Sequence, residues 1–171
     1  MKYFNAIKNE LGELPIIAED LGTMTQGVID LREATGFPGM KILGFAFDSK
    51  EENDYLPHTY TKNCVVYTGT HDNDTLIGWF TKANEDDKQF ARDYLNSRSD
   101  DEIHWDAIRG AWSSVANMAI APIQDFLGLG SEARINTPGL ASGNWQWRLK
   151  DGVLTDELAE RIAKLTKVYS R

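Results

Sequence analysis

Four short apolar runs punctuate the chain, each ending in polar residues, and amphipathic stretches lie between them. The first run, "LPIIAEDLG" (14–22), is broken by charge and glycine. "TMTQGVIDLREATG" (23–36) follows, with Thr23 and Gln26 at capping-box spacing and Gly36 as a C-terminal stop. This reads as strand, loop, helix. Pro38-Gly39 offers a tight turn, and "MKILGFAF" (40–47) gives a second continuous run of the kind that suits a strand buried on both faces. "NCVVYTGTHD" (63–72) is the third. Helical patterns then occupy 74–83, 87–97 and 99–118. The last of these has Ser99 and Glu102 as a second capping box, and Ile103, Ala107, Ile108, Ala111, Trp112 and Val115 on one face. A fourth run, "AIAPIQDFLGLG" (119–130), carries Pro122, which limits how far an interior strand can extend. Residues 131–152 read as loop, and 155–171 as a terminal helix with Leu158, Ile162 and Leu165 aligned.

Buried-type strands alternating with helices predict an α/β fold with a parallel sheet. A dinucleotide-binding fold lacks its glycine fingerprint, since no G-x-G-x-x-G follows the first strand. Polar groups instead collect just after the runs, at Glu19 and Asp20, at Asp48, at His71 to Asp74, and at Gln124 and Asp125. In a (β/α) barrel that edge holds the active site, because every strand delivers its last residues to one mouth. Four strands amount to half of an eight-stranded barrel. With no repeat, low-complexity tract or linker, one domain over 1–171 is the expectation.

Composition narrows the partners. Acidic residues outnumber basic ones, 26 to 18, for a net charge of −8, and no basic cluster could neutralise a run of phosphates. Nucleic acid and anionic membranes are therefore not expected. The single cysteine, Cys64, cannot form an internal disulfide, no run approaches membrane-span length, and the polar N-terminus does not read as a signal peptide, so a cytoplasmic address is expected. Five tryptophans and 11% aromatic residues are compatible with stacking on sugar faces or with an ordinary core.

Glu19 and Asp72 follow two different strands, and a shared mouth would bring them together. Glycosyl transfer requires such a pair: one carboxyl protonated to release a leaving oxygen, the other charged to stabilise an oxocarbenium-like centre. Acidic residues after strands also cap helices or are simply solvated. His71, Asp72 and Asp74 permit a metal reading, but His58 and His104 fall elsewhere and no ligand spacing recurs. No cofactor is expected. No Gly-x-Ser-x-Gly elbow exists, and Cys64 has no neighbouring base.

"PIIAEDLG", "GFPGMKILGFAFD", "YLPHTY", "VVYTGTHDNDT", "QDFLGLGSEARINTPG" and "NWQWRL" together resemble the C-terminal part of the 4-α-glucanotransferases, also called amylomaltases or disproportionating enzymes, of glycoside hydrolase family 77. The resemblance implies the C-terminal half of a (β/α)8 TIM-type barrel, strands five to eight, acting on maltooligosaccharides or other α-glucans. It implies Glu19 as general acid/base, Asp72 as the carboxylate that holds sugar hydroxyls and stabilises the transition state, and His71 as a contact to the same sugar. Asp48 and Asn144 follow as glucose contacts toward the acceptor side. Asn73 and Asp74 are expected to fix the loop.

The family's retaining double displacement uses an aspartate nucleophile after the fourth strand, with an arginine beside it, and the resemblance places both outside these residues. The expectation is a fragment, inactive alone, whose partner is the missing N-terminal half of the barrel or a second copy joined through exposed edges. Two rival readings remain: a non-catalytic glucan-binding or assembly module, and a metal-dependent hydrolase built on His71 and Asp72.

Overall fold

The computed structural model describes residues 1–171 and shows an α/β chain around a three-stranded parallel sheet. Strands β1 (Gly39–Ile42), β2 (Cys64–Tyr67) and β3 (Met118–Ile120) lie in that order, with Gly39 opposite Cys64 and Val65 opposite Met118. The middle strand is the buried one, and Cys64, Val65 and Val66 are at most 2% exposed. Its β-branched and apolar residues are what a strand covered on both faces needs.

The first apolar run does not form a strand. Ala18 N–H donates to Pro38 O at 2.9 Å, the one ladder bond between the two segments. A parallel ladder would return the Met40 N–H to the Ala18 carbonyl, but it donates to the Asp20 carboxylate at 2.6 Å. Pro38, lacking an N–H, cannot extend the pairing the other way. The second run is a strand only as far as Ile42, because Leu43–Phe45 tighten into a 3-10 turn. In the fourth run the strand comes early, at Met118–Ile120. Pro122 then opens the short helix α6 (Ile123–Phe126) where the sequence pattern predicted more strand.

The helices are α1 (Lys2–Leu11), α2 (Gln26–Thr35), α3 (Leu76–Lys82), α4 (Glu85–Leu95), α5 (Ile103–Ser113), α6 and α7 (Asp156–Val168). Helix α1 is not anticipated by the sequence reading. Helix α2 is capped by Thr25, without a side-chain bond, where Thr23 was expected, and it stops at Gly36 in the left-handed conformation as predicted. Ser99 caps a 3-10 turn (Asp100–Glu102), so α5 starts only at Ile103, and Glu102 pairs with Arg161 of α7.

Helix α5 carries most of the packing. Ile103, Ala107, Ile108, Ala111 and Trp112 are buried, which contributes about 2 kcal/mol for each large side chain. Val115, expected on the same face, lies beyond the helix end and is exposed. Arg171 donates to the carbonyls of Trp112, Ser114 and Ala116 at 2.7 to 2.9 Å, a cation on the orphan carbonyls after α5. The aligned Leu158, Ile162 and Leu165 of α7 close this side of the core. No helix is long and apolar enough to cross a membrane.

Helix α6 buries the two polar residues that the sequence pattern put at the rim, Gln124 and Asp125. Gln124 donates to Ala133 O at 3.2 Å. Asp125 accepts the Thr68 hydroxyl at 2.6 Å and the Leu76 N–H at 2.9 Å. Burial pushes its carboxyl above the ordinary range, against the pull of those two bonds. A raised folded-state pKa means stability is fully present below the unfolded value, about 3.9, and declines as pH rises through the folded value. Asp125→Ala should cost about 2–4 kcal/mol in urea unfolding, since it orphans a buried N–H and a buried hydroxyl. Asp125→Asn can bond both groups if the hydroxyl turns acceptor. It should cost less, and it should gain on the native chain as pH rises from 4.

Candidate functional site

Two loops meet at one end of the sheet. The first follows the extended segment 16–18, and its conformation is set by Asp20. One oxygen of Asp20 takes the Met40 N–H and the other takes Arg32 Nη1 of α2 at 2.5 Å. With Asp20 turned into the protein, its neighbour Glu19 faces out, and no protein group donates to the Glu19 carboxylate.

The second loop runs from Thr68 to Leu76, and both ends are held by Asp125. Within it, Asn73 Oδ1 reaches back to accept from the Thr70 N–H and hydroxyl, both at 2.8 Å, while the Asn73 N–H donates to Thr70 O at 3.2 Å, closing a tight turn. Thr75 caps α3 by accepting from Gly78 N at 3.0 Å. Asp74 takes Lys82 Nζ at 2.6 Å, the Ser131 hydroxyl at 2.7 Å and the Thr75 N–H at 2.9 Å. With the loop built this way, His71 and Asp72 occupy its tip, each side chain about half exposed, with His71 Nε2 at 3.3 Å from Asp72 Oδ1.

A third segment supports the tip. Asn136 Nδ2 donates to Asp72 Oδ1 at 2.5 Å, and Arg134 Nη2 donates to the Asp72 carbonyl at 2.6 Å. Trp145 lies over His71 with ring centroids 5.1 Å apart. Trp145 is at φ 63°, a left-handed conformation that is costly for a bulky residue, and its N–H is tied to Ile135 O at 2.8 Å.

Glu19 and Asp72 line one cavity of about 680 Å³, together with Phe45, Thr70, Asn73 and Arg134. Of the residues expected at the site, these two are brought together. His71 stands beside Asp72 but not on the cavity wall. Asp48 lies elsewhere, at an acidic depression with Glu51, Glu52, Asp86 and Asp93, and accepts from Lys50 N at 2.9 Å. Asn144 uses its amide within its own loop, accepting from Thr137 N and donating to the carbonyls of Thr137 and Leu140. No three His, Cys, Asp or Glu side chains are grouped to share a metal ion. Sequence reasoning passed over Asn136, Arg134 and Phe45. Their only signal was polar and aromatic residues placed beside glycine and proline turns.

Residues 1–155 match the family described as 4-alpha-glucanotransferase, glycoside hydrolase family 77. The chain belongs to this family. It is 52% identical to the 4-alpha-glucanotransferase of Clostridium butyricum over 100% of its own length and 35% of that protein's. It is 51% identical to the 4-alpha-glucanotransferase of a Synechocystis strain, over 99% of the chain and 34% of the relative. Among solved structures, the amylomaltase from Streptococcus agalactiae in complex with acarbose superposes with a TM-score of 0.93 at 37% identity, over 98% of this chain and 34% of that one. The chain thus spans about a third of the length of the relatives it matches.

The loop's stability should depend on acid. Burial draws the Asp74 carboxyl upward, but the bonds from Lys82, Ser131 and Thr75 outweigh it and hold it below the usual range. A depressed folded-state pKa stabilises above the unfolded value and is lost as pH falls through the folded one. Asp74→Asn should therefore cost about 1–2 kcal/mol at pH 7 in urea unfolding. That difference should shrink below a pH of about 4.

Proposed function

We propose that this chain supplies the general acid/base and the transition-state carboxylate of a 4-α-glucanotransferase that moves α-1,4-glucan segments between maltooligosaccharides. The observation that carries the reading is the shared cavity of Glu19 and Asp72, fed by two loops whose carboxylates lie 53 positions apart in the sequence. Glu19, free of internal partners, is placed to give a proton to the glycosidic oxygen and later to take one from the incoming hydroxyl. Asp72, held by the Asn136 amide on one oxygen, presents the other to sugar hydroxyls and keeps its charge for the oxocarbenium-like centre. His71 contributes a further hydroxyl contact from beside Asp72. Asp48 and Asn144 belong to the acceptor side, where Asn144 acts by shaping the loop 137–144.

The nucleophile comes from polypeptide outside these residues, as the family's double displacement requires, so the chain alone should not turn over. We read the 171 residues as one domain, a half-barrel of strands five to eight in which the first is reduced to the segment 16–18 with its single ladder bond to Pro38 O. The sheet supports this: β3 presents an unpaired edge with Met118 50% and Ile120 36% exposed. A neighbouring strand of the same barrel would cover both.

The test joins this chain to the preceding part of the Clostridium butyricum enzyme and follows glucose release from maltotriose. A folded fusion should disproportionate, and Glu19→Gln should slow it by roughly 100-fold or more. A folded fusion without turnover, or Glu19→Gln near the parent rate, refutes the reading.

A further inference from the structure

We infer that Asn136 is a positioning residue that fixes the Asp72 carboxylate for transfer, an inference that rests on the role proposed above for Asp72. Asp72 sits at a loop tip with its side chain 48% exposed, so packing alone does not select its rotamer. Asn136 does. Its Nδ2 donates to Oδ1 at 2.5 Å, and its main-chain N–H donates to His71 O at 3.1 Å, so the two segments are joined both through side chains and along the backbone. Arg134 locks the same junction, with Nη2 on the Asp72 carbonyl at 2.6 Å and Nε on the Asn136 carbonyl at 2.8 Å. Asn136 thus occupies Oδ1, with His71 Nε2 3.3 Å from the same oxygen, and Oδ2 is left for a sugar hydroxyl.

The chemistry of the donor matters. A lysine or arginine at this distance would neutralise the carboxylate that must face a developing positive charge. A neutral amide orients it without cancelling it. Arg134, the cation nearest to hand, spends its guanidinium on carbonyl oxygens instead of on the Asp72 carboxylate.

The test uses the fusion described above. Asn136→Ala should lower kcat by about 10- to 100-fold, the cost of a misplaced catalytic group, while KM stays within about threefold. Asn136→Asp is nearly isosteric and gives a readout that a purely structural residue would not. Two carboxyls this close share a proton at acidic pH and both ionise only as pH rises, because each disfavours the other's charge. While they share a proton, the introduced carboxyl donates to Asp72 as the amide did, and when that proton is lost the pair repels. Activity of Asn136→Asp should therefore survive at acidic pH and fall away as pH rises, with a profile shifted to lower pH than the parent's. Asn136→Ala should be slow across the whole range. Turnover of Asn136→Ala at the parent rate, or an unshifted profile for Asn136→Asp, overturns the inference. Asp72→Asn separates the two claims: if it leaves turnover intact, the role of Asp72 falls first, and if it abolishes turnover, the Asn136 results stand as evidence on Asn136 alone.

Discussion

Asp125 is the constraint on which the site depends. A buried carboxylate in a four-residue helix takes the hydroxyl of Thr68, where the central strand runs out, and the N–H of Leu76, where helix α3 begins. The seven residues between those two points carry His71 and Asp72, so one group sets the span of the loop at both ends. Thr68 itself is 1% exposed and continues the sheet beyond its last regular pair. It accepts from Gly44 N and donates to Ile120 O, each at 3.1 Å. All three strands thus end on the residue from which the loop departs. Burying a carboxylate is costly, and here the cost is offset by two bonds that no mobile group could make as reliably.

The same economy governs the other loop. Asp20 takes the backbone N–H that would have paired a fourth strand, which shortens the sheet and frees residues 19–22 to turn toward the cavity. The mouth is therefore built by inward-facing carboxylates, Asp20 and Asp125, that hold backbone. Their outward-facing counterparts, Glu19 and Asp72, are the groups that we propose meet substrate. The inward pair is bonded to main chain, as positional rigidity demands. Glu19 is free of partners, and Asp72 is bonded on one oxygen only, as the proposed chemistry on a sugar requires.

This division explains what the sequence made legible. The central strand, helix α5 with its buried face, the stop at Gly36 and the terminal helix all follow from periodicity and end signals that are local. The pairing of Glu19 with Asp72 followed from placing polar residues after strands, strengthened by several motifs in a fixed order. The roles of Asp20, Gln124 and Asp125 were not legible, because an acidic residue after an apolar run looks the same whether it faces solvent or a backbone N–H. Asn136 meets Asp72 across 64 positions, and no spacing rule covers that reach. Strand lengths failed for a related reason: Leu43 to Phe47 are apolar enough for a strand, but Gly44 approaches the Thr68 carbonyl and turns the chain away. Asn144 and Asp48 were expected from the resemblance as acceptor-side contacts, and their loops place them off the cavity that Glu19 and Asp72 share.

The central claim is that the loops bearing Glu19 and Asp72 form one sugar site, and a two-dimensional NMR titration of the labelled chain with maltoheptaose tests it most directly. The account predicts that the backbone signals of residues 19–22 and 70–74 shift together and saturate with a single dissociation constant. Shifts confined to one of these segments, or two segments saturating at different ligand concentrations, would contradict it.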